Sequence, residues 1–246
     1  MVGISRRLGM KATRVAGALI LVMGVSGCLS GGLGFGDGEL KNSPIFSNTK
    51  TAPSEGLIQN LGVMDGTVVI AAPAGYCVDA TSINDGSGRA FVPLGACSAM
   101  TKNPADPTPK VTAFLTASVL PLPVSSPNVP SDPKARMQAA KAFVESDVGR
   151  GALSRSGAKM PVTLLDIRPS SDVLFVRVKD GSAGLPSSLS DTNWRAFFEQ
   201  NGVLVTATVN TFKERSYKSN DGFRLLTEFV SAIQKENSGS GRGSGG

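Results

Sequence analysis

The chain has 246 residues, 41% of them apolar, with 25 lysines and arginines against 19 aspartates and glutamates and a formal net charge of +6. It contains no histidine, which excludes Ser-His and Cys-His catalysis, histidine metal ligands and an imidazole pH switch. Residues 1–27 hold four of the basic side chains and no acidic one, so the other 219 residues have a net charge of only +2. This near-balance removes the main argument for nucleic-acid binding, and the remaining length suits one ordinary domain.

Residues 1–27 have the order of a signal peptide. A positive stretch ends near Arg14, an apolar run covers 15–23, and small residues lead to Cys28. The run is too short to span a bilayer as a mature helix. The segment 25–28, Val-Ser-Gly-Cys, resembles the lipobox of bacterial lipoproteins, in which the cysteine receives a diacylglycerol and the peptide is cut before it. The resemblance implies lipidation at Cys28; the alternatives are a signal peptide with a chance cysteine, or a buried apolar helix.

Lipid on Cys28 predicts a membrane as one partner of the chain. Two or three acyl chains hold a protein on a membrane, whereas a single chain binds only reversibly. Leu29 follows the cysteine, whereas enteric lipoproteins retained in the inner membrane have an aspartate there. The resemblance therefore favours the outer membrane, with the protein facing the periplasm.

Two segments are too rich in glycine and polar residues to form a core. Residues 28–56 are predicted to be a flexible tether. Residues 238–246 alternate serine and glycine around one arginine and are predicted to be a disordered tail. A single domain is therefore expected over 57–237.

The first half of this domain alternates strand and turn patterns before one helix. Strands are predicted at 67–72, 89–94 and 111–120, the last of them between proline-rich segments. A helix is predicted over 133–149, with Asp132 as its cap and Pro133 in its first turn. Segments 161–168 and 173–179 flank Pro-Ser-Ser-Asp, which predicts a hairpin.

The second half is predicted to be helix, strand and helix. Ser190 is a plausible cap for a helix through Trp194 to Gln200, and Gly202 is well placed to end it. An alternating strand follows over 203–212, and apolar residues at helical spacing predict a last helix over 221–235. Together the elements predict an α+β domain with a mainly antiparallel sheet and about three helices.

Cys77 and Cys97 are the only other cysteines. An even pair in an exported protein is expected to form a disulfide. The segment between them contains Asp-Gly-Ser-Gly at 85–88, a turn that would fold 76–80 back beside 91–97. A redox-active pair is the alternative, but the spacing is far from C-x-x-C.

No pattern of catalytic or cofactor-binding residues stands out. Two Ser-x-x-Lys matches, at 47–50 and 131–134, lack the Ser-Asp-Asn and Lys-Thr-Gly partners of the serine acyl-enzymes. Asp79, Asn84 and Asp85 fit a solvated turn better than a cation site, because their spacing matches no EF-hand. We therefore predict no cofactor, no metal and no catalytic residue.

Five residues are candidates for contact with a partner. Trp194 lies with Phe197 and Phe198 in the one aromatic cluster, beside Arg195, and this cluster is either core or an exposed anchor. The other three gather around Tyr217 and would suit anionic headgroups, lipopolysaccharide or nucleic acid, or would form a solvated loop: Lys213, Arg215 and Lys218.

The domain as a whole resembles uncharacterised lipoproteins of alphaproteobacteria. The resemblance lies in the segments 72–77 (Ala-Pro-Ala-Gly-Tyr-Cys), 91–97 (Phe-Val-Pro-Leu-Gly-Ala-Cys) and 194–205 (Trp-Arg-Ala-Phe-Phe-Glu-Gln-Asn-Gly-Val-Leu-Val). It covers most of 66–236 and implies no known activity. The order of elements from 191 to 235 also resembles the PsbP-like sandwich, which is an analogy of fold alone.

These observations favour a non-enzymatic, lipid-anchored envelope protein that binds a protein partner or supports an envelope assembly. The first alternative is a module that binds a small ligand or an envelope polymer. The second is a hydrolase acting on envelope glycans through a pair of carboxylates, without histidine.

Overall fold

A computed structural model describes residues 57–122, 130, 132–155, 162–182, 186–215 and 217–239. The predictions for the signal peptide, Cys28, the tether, the Ser-x-x-Lys match at 47–50, the serine of the second match (Ser131) and the tail beyond Gly239 lie outside these residues. No helix in the described ranges is long and apolar enough to cross a bilayer.

The fold is α+β, with every strand pair antiparallel, as predicted. A small hairpin precedes a sheet whose strands run in the order β3-β5-β6-β10-β9-β8-β7, with β4 also beside β5. The strands are β1 Asn60–Val63, β2 Val68–Ala71, β3 Tyr76–Val78, β4 Asn84–Gly86, β5 Arg89–Ala96, β6 Ala113–Pro121, β7 Thr163–Pro169, β8 Val173–Lys179, β9 Leu189–Gln200 and β10 Val203–Phe212. The helices of the described part are α1 Cys97–Thr101, α2 Pro133–Glu145, α3 Asp147–Leu153 and α4 Ser219–Asn237.

One face of the sheet, which we call the front face, is covered by α4 and the β1–β2 hairpin. Side chains alternate along β5, β6 and β10, and those that point to this face are buried aliphatic residues. Asn237 at the end of α4 holds the hairpin, because its side-chain amide donates to the Val69 carbonyl at 2.8 Å and accepts from the Val69 N–H at 2.9 Å. The main core lies between these layers.

The opposite face, the back face, is covered over only part of its width. Helix α2 packs on β7 and β8, and α3 follows it. Between them and the sheet lies a second, smaller core, which consists of Val144, Leu153, Val162, Leu174, Val176 and Val178. Strand β8 is therefore covered on both faces, since Val173 and Phe175 lie in the main core.

The predicted helix over 190–200 is wrong, because this segment is strand β9. It pairs with β8 on one side and with β10 on the other. The β9–β10 turn is formed by Asn201 and Gly202, whose φ angles are 50° and 78°. Positive φ at both central residues is what a type I′ hairpin turn requires, so Gly202 closes a hairpin and does not end a helix.

The predicted helix over 133–149 is interrupted at Ser146. Asp132 caps α2 as predicted, accepting a hydrogen bond from the Ala135 N–H at 2.7 Å. Ser146 then adopts an extended conformation and its hydroxyl caps α3, accepting from the Gly149 N–H at 3.0 Å. A Cβ at Gly149 would lie 1.9 Å from the Phe143 carbonyl oxygen, so the close junction requires glycine. The break leaves Val148 72% exposed instead of on the core face.

The predicted disulfide between Cys77 and Cys97 is present, with 5.0 Å between the two Cα atoms. Both cysteines are fully buried and pack with Leu57. The turn inside the closed loop is also where it was expected, since β4 and β5 meet across Ser87 and Gly88. The disulfide thus joins β3 to the residue that follows β5.

Candidate functional site

Trp194 lies in the main core and not on the surface. Its ring is 2% exposed, and its indole N–H donates to the Ser219 carbonyl of α4 at 3.1 Å. The Phe223 ring of α4 is centred 5.1 Å away. The Arg168 guanidinium lies 5.1 Å from the Trp194 ring and 4.4 Å from the Phe223 ring, which favours cation–π attraction. Trp194 therefore joins α4 to the sheet and is out of reach of a partner in this structure.

The aromatic cluster expected around Trp194 is divided between the two faces of β9. Phe198 lies in the main core with Trp194, whereas Phe197 packs against the second core behind the sheet. Side chains alternate in a strand, so neighbours in sequence point in opposite directions. The prediction that these three aromatic residues form one cluster is thus wrong.

Arg195 also points to the back face, where it is half-buried. Its guanidinium donates to the Leu153 carbonyl at 2.6 Å and to the Asn193 side-chain oxygen at 2.9 Å. Burial lowers the pKa of Arg195, while the nearby charge of Asp180 raises it and that of Arg155 lowers it further. These contacts attach the end of α3 to the sheet, which is a structural use of the side chain.

Asp180, which directly follows β8, is a buried carboxylate that the sequence analysis missed. It is 1% exposed and accepts hydrogen bonds from the Ser182 hydroxyl at 2.5 Å and from the Arg155 N–H at 3.0 Å. The Arg155 guanidinium lies 3.4 Å from the same carboxylate. Burial alone raises the pKa of Asp180, but these hydrogen bonds and the Arg155 charge hold it below its ordinary value. The Asp-Gly-Ser sequence at 180–182 was the available signal, since aspartate often bonds the backbone two residues on.

Lys213, Arg215 and Lys218 are exposed in the loop between β10 and α4. The first two lie in a short 3-10 helix with Glu214 between them. Within the described ranges none of the three forms a salt bridge, so their charges face solvent. Tyr217 beside them is half-buried, and burial raises its pKa. The structure thus places three of the five candidate residues together on the surface, away from Arg195.

A broad part of the back face lies open over β5, β6 and β10. Leu120 pairs with Leu204, Ser118 with Thr206 and Thr116 with Thr208, all on this face. Phe91 is 41% and Leu120 44% exposed, and the other five residues are half-buried. The main helix contacts in the described part of the chain lie elsewhere, on the front face and over β7 and β8. We call this surface the open face; it consists of Phe91, Thr116, Ser118, Leu120, Leu204, Thr206 and Thr208.

A groove of about 610 Å³ lies between the first half of α2 and the β7–β8 turn. Its apolar lining includes Met137 and Pro169, and Lys134 stands at its rim. Among the described residues of its lining the one carboxylate is that of Asp132, which already caps α2. A hydrolase of the carboxylate-pair type needs two facing carboxylates, which this groove does not supply.

The acidic residues considered for a cation site are engaged in local hydrogen bonds. Asp79 accepts from Thr81 and Ser82, and the two hydroxyls lower its pKa. Asp85 accepts from the Met64 N–H. No group of three cysteine, aspartate or glutamate side chains in the described residues is placed to hold a metal ion.

No protein-family model matches this sequence, and comparisons with curated proteins and with solved structures gave no significant match. The resemblance to lipoproteins therefore stays a prediction from the residues quoted for it. The analogy to the PsbP-like sandwich loses part of its basis, because the first element of the 191–235 order is strand β9 and not a helix.

Proposed function

We propose that the chain is a lipid-anchored lipoprotein of the bacterial envelope, held to a membrane through Cys28, whose domain binds a partner protein without catalysing a reaction. The anchor is supported by the lipobox resemblance of residues 25–28. The binding role is supported by one structural observation, the open face on β5, β6 and β10.

The composition of the open face suits a protein partner of uncharged surface. Its centre is a row of hydroxyls from threonine and serine, and its margin is apolar, with Phe91 and Leu120 the most exposed. Interfaces are depleted of charge at their centre and enriched in aromatic residues, and this face has no charged side chain and has one exposed aromatic ring, Phe91. The flat pleated surface offers no deep pocket to a small molecule.

A crosslinking experiment in intact cells tests the binding role. A photo-reactive amino acid at Thr206, in the centre of the open face, is expected to capture one specific envelope protein. The same amino acid at Ser231, on the exposed side of α4, is the matched control and is expected to capture nothing specific. Identical products from both positions, or none from Thr206, would contradict the proposal.

The anchor is tested separately by mass spectrometry of the mature protein. We expect a new N terminus at Cys28 with acyl chains attached, and we expect Cys28→Ala to abolish cleavage and membrane retention. An unmodified Cys28 in the exported protein would refute the lipoprotein assignment without affecting the crosslinking result.

The groove beside α2 supports the alternative of a ligand-binding module. Its size falls within the range of small-molecule sites, and its lining is mostly apolar. Met137→Trp would fill it, and loss of a ligand from the native protein in this variant alone would favour that alternative.

A further inference from the structure

The charges of the domain are separated along the strands. One row of paired residues crosses the whole sheet, from Val78 through Leu115 and Trp194 to Asp166. Beyond this row lie the last residues of β5, β8 and β10 and the first of β6 and β9, together with the loops that join them. We call this the basic end, because exposed basic residues cluster in its described strand ends and loops: Lys102, Lys110, Lys179, Lys213, Arg215 and Lys218.

The acidic residues at the basic end offset only part of this charge. Asp191 lies 3.7 Å from Lys179, and Glu214 is exposed between two basic neighbours. Asp221 pairs with Arg224 at 3.0 Å in the first turn of α4, and the two cancel. Asp106 and Asp180 are buried. The exposed surface at this end is therefore strongly positive.

The other end of the strands has the opposite sign. It includes the β9–β10 and β7–β8 turns, the start of α2 and the end of α4. Among the described residues, Glu199 at this end is paired with Arg136 at 4.0 Å. The exposed acidic residues that remain, Asp65, Asp85, Asp132 and Asp172, outnumber the exposed basic ones, Arg89, Lys134 and Lys235. The domain therefore has a dipole along its strands although its net charge is small.

The chain enters the domain at the basic end. Leu57 packs against the disulfide formed by Cys77 and Cys97, where β3 begins and β5 ends. Ile58 then pairs with Val78, whose N–H donates to the Ile58 carbonyl at 2.7 Å. The lipid predicted on Cys28 would thus connect to the domain at its positive end and not at its negative one.

We infer that the basic end is a contact surface for the anionic phospholipid headgroups of the membrane that holds the lipid anchor. This inference rests on the proposed function, because it requires the lipid on Cys28. Anionic headgroups attract lysine and arginine only within about a Debye length, near 10 Å, so they act only on the end of the domain that is nearest to the membrane. They attract the domain when this is the basic end and repel it when this is the acidic end. The tether would keep the basic end at a high effective concentration near the headgroups, so even a weak attraction orients the domain.

The orientation has a consequence for the open face. With the basic end on the headgroups, the strands stand away from the bilayer and the back face points sideways. Phe91 and Thr206 are then accessible to a partner protein in the envelope, and the lipid surface does not cover them. The membrane contact and the proposed partner contact are therefore compatible.

Hydrogen–deuterium exchange of the lipidated full chain on vesicles tests the inference. We expect amides in 213–218 and 102–110 to exchange at least about threefold more slowly on vesicles with about 30% phosphatidylglycerol than on phosphatidylcholine alone. The β9–β10 turn is expected to exchange equally on both. Raising the salt to about 0.5 M is expected to remove the difference, since screening shortens the reach of the headgroup charge.

Matched variants identify the residues responsible. The variant Lys213→Gln/Arg215→Gln/Lys218→Gln is expected to lose the difference, including in 102–110, which carries no substitution. The control Arg89→Gln/Lys134→Gln/Lys235→Gln removes the same charge from the other end and is expected to keep the difference in exchange.

Equal exchange on both vesicles for a protein that mass spectrometry shows to be lipidated would overturn the membrane contact while leaving the anchor intact. Protection by a DNA duplex on phosphatidylcholine, without protection by phosphatidylglycerol, would overturn it in favour of nucleic acid. An unlipidated Cys28 would overturn the anchor and this orientation together.

Discussion

The two faces of the sheet are built by the same strands but are used differently. On the front of β6 and β10 the alternating side chains are alanine, valine and leucine, all buried by α4 and the β1–β2 hairpin. On the back of the same strands Thr116, Ser118, Thr206 and Thr208 stand half-buried with leucines beside them. Threonine suits a strand through its β-branched side chain and needs no apolar cover. The front face thus stabilises the fold, and the back face is left with surface that a partner can use.

The largest loss of stability is expected from a cavity in the front layer. Phe229 of α4 is fully buried in the main core, so Phe229→Ala removes both apolar burial and packing contacts. We expect the free energy of unfolding to fall by about 3–5 kcal/mol. Urea denaturation followed by far-UV circular dichroism measures it. A loss below about 1 kcal/mol would show that α4 is not the main cover of the front face.

Removing the disulfide tests how much the covalent link contributes to the free energy of unfolding. Cys77 and Cys97 are 20 residues apart, so the crosslink lowers the entropy of the unfolded chain, and Cys77→Ala/Cys97→Ala is expected to cost about 3 kcal/mol. The comparison is made by urea denaturation of the oxidised protein and the variant. Reductant should destabilise the native protein by a similar amount and leave the variant unchanged; an effect of reductant on the variant would contradict the assignment.

The buried Asp180 connects the back-face helices to the sheet. Asp180→Asn is expected to cost about 2 kcal/mol at neutral pH, because Arg155 loses its charged hydrogen-bond partner. The folded-state pKa of Asp180 is below its ordinary value, so its contribution is full above the unfolded pKa of about 3.9 and disappears as pH falls through the folded pKa. The difference between native protein and variant should therefore shrink below about pH 4. Denaturation at a series of pH values measures this, and a difference independent of pH would contradict it.

The segment 190–200, predicted as a helix and found as strand β9, shows that local sequence patterns alone do not determine the secondary structure there. A serine at the start and a glycine just past the end suit a helix over 190–200, but Asn-Gly equally suits a type I′ turn. What decides between them is pairing of β9 with β8 and β10, which are distant contacts. Trp194 is buried on one face of β9 and Phe197 is half-buried on the other, because both sides of the strand are covered. Neither a helix nor a strand with a single buried face predicts this pattern.

Features that depend on neighbouring residues in the sequence were predictable. Features that depend on which helices pack on which strands were not. The N-cap of α2, the turn at 87–88 and the alternation of β10 follow from neighbouring residues. The disulfide follows from the presence of two cysteines besides Cys28 in a chain predicted to be exported. The open face could not be predicted in the same way, because alternation gives two faces to each strand but does not say that α2 and α3 cover β7 and β8 and leave β5, β6 and β10 exposed.

The smallest loss of stability is expected from substitutions on the open face. Phe91→Ala and Leu120→Ala each remove a side chain that is more than 40% exposed, so each is expected to lower the free energy of unfolding of the isolated protein by about 1 kcal/mol or less. Phe91→Ala removes a phenyl ring on the back face of the sheet, and Phe229→Ala removes one from α4 on the front face. The difference between their losses of unfolding free energy therefore measures how much better the front face is covered. A cost at Phe91 near that at Phe229 would mean that some part of the chain outside the described residues packs on the open face. A small cost together with loss of the Thr206 crosslink would mean that these side chains serve a partner, because a residue that contributes little to folding but is required for capture acts through the contact itself.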